Sequence, residues 1–135
     1  MLASEEMSER KGMDDLGTAP GSHWVEVCPL DRITPGTGVA AMIEGEQIAI
    51  VVARDGKAVY ALSNFDPFSK AFVIARGIVG DRDGVPKIAS PIFKQNFDLE
   101  SGQCLDDPEV RLPVFPTRVH DGRIQVLVPA ARRNP

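Results

Sequence analysis

Nothing in this 135-residue chain is apolar over the ~20 residues that a membrane-spanning helix needs. A secretory leader is also missing from the start. Met1 to Pro20 carries Glu5, Glu6, Glu9, Asp14 and Asp15 against Arg10 and Lys11, with no basic region followed by an apolar one. The cytoplasm is therefore the expected compartment, and a membrane is not an expected partner. Basic surface is scarce too. The formal net charge is −4; the acidic start carries most of it, and the remainder is close to balanced. Those totals do not suit a protein that grips phosphate backbones, so no nucleic-acid partner is expected. There are only two cysteines and two histidines. Cys28 ends an alternating apolar run and Cys104 follows a Gly turn, so both read as small buried hydrophobes. His23 and His120 lack a neighbouring Cys, Ser or Glu that would make a nucleophile–base pair. A Gly-x-Gly-x-x-Gly fingerprint, a four-Cys cluster motif and an internal repeat are all absent.

What is present is strand and turn. Residues 1–21 read as a flexible acidic tail and 131–135 as a C-terminal tail, leaving one domain over 22–130. Trp24 to Cys28 alternates, with Trp24 an anchor of the first strand. Val39–Ile43 and Gln47–Ala53 are β-branched runs expected to pair around Glu44-Gly45. Asp55-Gly56 and Asp121-Gly122 are hairpin signals, because Asp-Gly takes positive φ at low cost. Val85–Ala89 follows a third Asp-Gly, at Asp83-Gly84. Short strands with turns every 8–12 residues indicate an all-β antiparallel sandwich or barrel. Only Pro67–Ala75 leaves room for a helical turn or two. Between residues 64 and 108 turn formers are dense, which reads as a small subdomain inserted in a larger β base.

Two loops of that insert carry a pattern. Asp66-Pro67-Phe68 is followed by Ser90-Pro91-Ile92-Phe93 and then by Phe97-Asp98-Leu99-Glu100-Ser101-Gly102. The frame resembles that of Rieske domains, Cys-x-His and Cys-x2-His followed by Phe-Asp-Leu-x-x-Gly. Such domains hold a [2Fe–2S] cluster with two Cys and two His. Every ligand is replaced here. Phe68 and Phe93 have no lone pair for iron. Asp66 and Ser90 are hard oxygen donors at positions suited to thiolate. These degenerate positions predict no metal, no cofactor and no catalytic residue in the chain itself.

Four stretches narrow the resemblance further. They are Asn64–Ser69, Arg76–Asp81, Ala89–Leu99 and Gly102–Pro108. Together they make the chain similar, over roughly 23–129, to the small subunits of NAD(P)H-dependent assimilatory nitrite reductase, a Rieske-like family lacking the cluster ligands. Asn96 departs from relatives that often carry His there. The resemblance implies a Rieske-like fold and a part in reducing nitrite to ammonia. It also implies a large-subunit partner that carries FAD, sirohaem and a [4Fe–4S] cluster. Two other readings remain: a [2Fe–2S] electron carrier with unusual ligands, or a free-standing β module that binds another protein.

Phe68 and Phe93 are expected to face each other and fill the volume a cluster would take. The alternative is that they form, with Phe65, an exposed apolar tip that docks on the large subunit, helped by Arg76 and Lys94. Asp66, Asp81, Asp83, Asp106 and Asp107 read as turn and cap residues. Lys94-Gln95-Asn96 reads as the polar side of a half-buried strand.

Overall fold

The structure is a computed structural model that describes residues 21–129. The expected tails, apart from Gly21, lie outside the described residues. Twelve strands follow in order: β1 (His23–Pro29), β2 (Thr37–Ile43), β3 (Glu46–Val52), β4 (Val59–Ser63), β5 (Phe65–Asp66), β6 (Ala71–Phe72), β7 (Ile78–Arg82), β8 (Val85–Ala89), β9 (Asn96–Asp98), β10 (Val114–Phe115), β11 (Thr117–His120) and β12 (Arg123–Val128). They form four antiparallel sheets, ordered β1-β12-β11, β10-β4-β3-β2, β5-β6 and β7-β8-β9. The last two sheets lie in the chain between β4 and β10.

Tight turns set much of this register. Glu44-Gly45, Asp83-Gly84 and Asp121-Gly122 each place both residues at positive φ, the geometry that suits two-residue hairpins. They join β2 to β3, β7 to β8, and β11 to β12. The turn at Asp55-Gly56 is wider. Only Gly56 is left-handed there (φ 76). The Asp55 carboxylate instead accepts the amides of Lys57 and Ala58, at 2.7 and 3.2 Å.

The inner strands β3 and β4 are buried on both faces of their sheet. Successive side chains of a strand point to opposite sides. Ile48, Ile50, Val52, Val59, Ala61 and Phe115 pack toward Ile124, Val126 and Val128 of β12. Ala49, Val51, Tyr60, Leu62 and Val114 pack toward Ile74, Ile88, Phe97 and Leu99 of the insert. That is why β3 reads as a continuous apolar run and not an alternating one. Gly102 closes the insert against the base. Its φ is +81, and a Cβ there would come within 2.0 Å of the Leu112 carbonyl oxygen, so only glycine fits.

Two local expectations need correction. The stretch allowed for a helical turn instead contains β6, and one 3₁₀ turn, Ile74–Arg76, begins at its end; a second 3₁₀ turn lies at Leu30–Arg32. Strand β9 starts only at Asn96. Lys94 stands in a turn at φ 63, because its amide closes the preceding loop onto the Ser90 carbonyl (3.1 Å). Trp24 lies half-buried on β1, with the Arg118 guanidinium 4.1 Å from its ring centre.

Candidate functional site

The two ligand-less loops are built alike. Asp66 begins the first and Ser90 the second, and each is followed by proline. The Lys70 amide donates to the Asp66 carbonyl (2.7 Å), and the Lys94 amide donates to the Ser90 carbonyl (3.1 Å). Both lysines are left-handed, at φ 61 and 63. In each loop the first side chain also accepts the amide two residues on, Phe68 to Asp66 (2.9 Å) and Ile92 to Ser90 (3.4 Å). The Asx-type turn expected at Asp66 is therefore present, and it has a partner in the facing loop.

That partner joins the loops. Asp66 and Ser90 are both buried, at 0% and 1% exposure. The Ser90 hydroxyl donates to Asp66 Oδ2 at 2.6 Å, and the Ser69 hydroxyl donates to the same oxygen at 2.9 Å. Burial pushes the Asp66 carboxyl up. The hydrogen bonds from Ser90, from the Phe68 amide and from Ser69 outweigh it, so the carboxyl sits below its usual range and stays ionised.

The donor set does not fit a [2Fe–2S] cluster. The positions where two thiolates would stand hold oxygens that are bonded to each other. No buried side-chain nitrogen or oxygen among the described residues is left without a partner. The positions where two imidazoles would stand hold carbon rings with no donor. Cys104 is buried and Cys28 half-buried; burial pushes both thiols up, away from the thiolate that iron would need.

The two replacement rings do not meet. Phe68 is half-buried and packs on Phe97, with ring centres 6.3 Å apart. Phe93 is 58% exposed, so a face-to-face filling of the cluster volume by Phe68 and Phe93 is not what this chain does. Asp66, Ser90 and the inward Phe68 occupy the space between the loops, which leaves Phe93 outside. Phe65 is half-buried and its ring contacts Phe72 at 5.1 Å. Ile92 and Phe72 are 46% and 54% exposed. Arg76, Lys70 and Lys94 are exposed, and none reaches a carboxylate among the described residues. The loop surface is thus apolar and cationic, with its single carboxylate turned inward.

One important buried residue was not singled out by sequence reasoning. Asn64 is buried; its side chain donates to Gln47 Oε1 (3.1 Å) and accepts the Ala75 amide (2.7 Å), fixing the insert to β3. A lone Asn after an apolar strand was the only signal. Asp106 accepts the Asn96 amide and side chain at 2.8 and 3.0 Å, and Arg82 at 3.3 Å. Lys87 donates to Asn96 Oδ1 at 2.7 Å. Asn96 is therefore a structural link between strands.

The sequence model of a family described as the Rieske-like [2Fe–2S] domain matches residues 23–127. The chain is 41% identical over 105 residues to the nitrite reductase (NADH) small subunit of Salmonella typhimurium, covering 78% of this chain and 97% of that protein. It aligns at 41% identity and a TM-score of 0.67 with the solution structure of the NAD(P)H nitrite reductase small subunit from Erwinia carotovora, over 83% of this chain and 90% of that one. A stretch 37% identical over 107 residues also lies within the NAD(P)H nitrite reductase large subunit of Klebsiella oxytoca, where it makes up 11% of the protein.

Proposed function

Because this chain belongs to the Rieske-like family, among the nitrite reductase small subunits, we propose that it is a cofactor-free, non-catalytic subunit that works by contact. Its partner is the large subunit of a cytoplasmic NAD(P)H-dependent nitrite reductase that reduces nitrite to ammonia in nitrate assimilation. FAD, sirohaem and [4Fe–4S] belong to that large chain. The observation that carries this reading is the Asp66–Ser90 hydrogen bond, which engages two of the four positions where the ligands of a [2Fe–2S] cluster would stand. The Klebsiella oxytoca protein supports the partner, since there a closely similar stretch is part of a longer polypeptide named as a large subunit. A module carried in one chain by one relative is suited to bind that chain in trans in another.

The contact surface is the loop end of the insert. Phe93 and Ile92 present apolar area, Lys94 and Arg76 present charge, and Phe65 and Phe68 support the loops from behind. Aromatic and arginine side chains are enriched at interfaces, and lysines sit at their rims; the facing surface of the partner is accordingly apolar with acidic edges. The test is co-expression with the large chain, followed by size exclusion and iron and sulfide analysis of the separated subunits. The expected result is a stable complex of the two chains and an iron-free small subunit. Stoichiometric iron and sulfide in the isolated small chain would refute it, and so would separate elution of the two chains.

A further inference from the structure

Strand β2 is an outer strand whose free side is poorly protected. Its run Gly38-Val39-Ala40-Ala41-Met42-Ile43 has no charge and no proline, and it pairs with β3 in unbroken register. Charges, prolines and bulges are the usual devices that keep an edge from recruiting another strand. Val39 and Met42 remain 38% and 66% exposed. Alternate backbone N–H and C=O groups of such a strand point away from its one neighbour.

A cleft of about 440 Å³ opens beside this strand. Gly38, Ala40, Phe72 and Arg76 are among the residues that line it. Ala75 packs directly on Gly38, where a Cβ would stand 3.0 Å from the Ala75 carbonyl oxygen and 3.2 Å from Val51, so the room beside the strand lies over Ala40. At the polar end, Asn64 and Gln47 are hydrogen-bonded to each other, and Arg76 is the only charged residue lining the cleft among the described residues. A trough of mixed polar and apolar lining, with a cation at one side and an edge strand along its length, suits an extended peptide. Backbone pairing would supply affinity, and alternate side chains would supply specificity.

We infer that this cleft receives an extended segment of the large subunit, which adds a strand to β2, lays an aliphatic side chain over Ala40, and sets a carboxylate against Arg76. The inference rests on the large subunit being the partner, and it adds a second contact, on the side of the domain, to the loop end. Charge complementarity selects the occupant's chemistry: Arg76 is the charged residue among the described residues lining the cleft, it is exposed and forms no ion pair with a described carboxylate, so the segment that fits brings a carboxylate to it.

The experiment uses the purified two-chain complex. Amide hydrogen exchange is measured over 37–43 in the free small subunit and in the complex. Binding is measured for wild type, Ala40→Phe, Arg76→Glu and the loop-end variant Phe93→Asp. Ala40 is exposed, so a phenyl ring there fills the cleft and leaves the core untouched. Protection of β2 in the complex is expected, with affinity lowered at least ~10-fold (about 1.4 kcal/mol) by both Ala40→Phe and Arg76→Glu at unchanged thermal stability. The Arg76→Glu defect should shrink at high salt. Unchanged β2 exchange, with wild-type binding by Ala40→Phe and weak binding by Phe93→Asp, overturns the cleft and leaves the proposed function standing, since Arg76 also belongs to the loop-end contact and only Ala40→Phe is specific to the cleft. No association by wild type sinks both. Protection of β2 in the small subunit alone, with dimers on size exclusion, makes the occupant a second copy and also overturns the inference.

Discussion

Ser90→Ala tests whether the Asp66–Ser90 bond holds the two loops together. The variant removes one hydroxyl that donates to a buried carboxylate at 2.6 Å. Asp66 keeps the Phe68 amide and the Ser69 hydroxyl, so it stays charged but less well solvated by the protein. A hydrogen bond to a charged group contributes about 1.5–3 kcal/mol net. Removing the donor should lower the unfolding free energy by about that much. For a domain of this size that is roughly a 6–12 °C fall in melting temperature. Urea titration should show a lower midpoint at unchanged slope. The pH dependence gives the sharper check. The folded Asp66 carboxyl sits below its ordinary range. Its contribution is therefore complete above the unfolded value, about 3.9, and disappears as pH falls through the lower folded value. The gap between wild type and Ser90→Ala should be full at pH 7 and close as acid protonates Asp66. In an Asp66→Asn background the same substitution should cost clearly less, and the cycle gives the coupling energy. A difference under about 0.5 kcal/mol at pH 7, or an Asp66 carboxyl that titrates at the same pH in folded wild type and folded Ser90→Ala, would refute the bond as a clamp.

Phe97→Ala should cost about 3–5 kcal/mol, because the ring is fully buried against Phe68. Phe93→Ala should leave thermal stability nearly unchanged while weakening binding to the large subunit; chemical denaturation and size exclusion separate the two outcomes. Gly102→Ala should destabilise by about 1–3 kcal/mol from the left-handed backbone alone, with more from the clash at Leu112, read by urea melts. His23 should titrate above its ordinary value, since the Gly21 carbonyl and the Glu44 carboxylate both favour its charged ring. Its contribution is complete below the unfolded value and is lost as pH rises through the folded one. Glu44→Gln should move the ring's NMR titration back down.

The base of the fold was legible because its signals are local. Glu44-Gly45 and Asp121-Gly122 announce hairpins through backbone chemistry, and the runs on either side are long enough to show strand character. The insert hid its strands: β5, β6 and β9 are two or three residues long, too short for any periodicity. The emptied ligand set was readable from residue identity alone. The bond between Asp66 and Ser90 was not, because 24 positions separate its ends and only the closed insert brings them together. The outward turn of Phe93 also depends on tertiary context, since the left-handed Lys94 and the occupied space between the loops decide it. The cleft beside β2 needed the fold as well, because it joins residues of β2, β3, β6 and the 3₁₀ turn at Ile74–Arg76.

The four-stranded sheet acts as a bulkhead. The core beneath it, from Ile33 to Val128, contains no residue of either loop, and the core above contains none of the β1-β12-β11 sheet. Damage or innovation in one compartment is thus cushioned from the other. A lineage could exchange thiolate and imidazole for oxygen and phenyl on the upper side while the lower side went on folding around the same side chains.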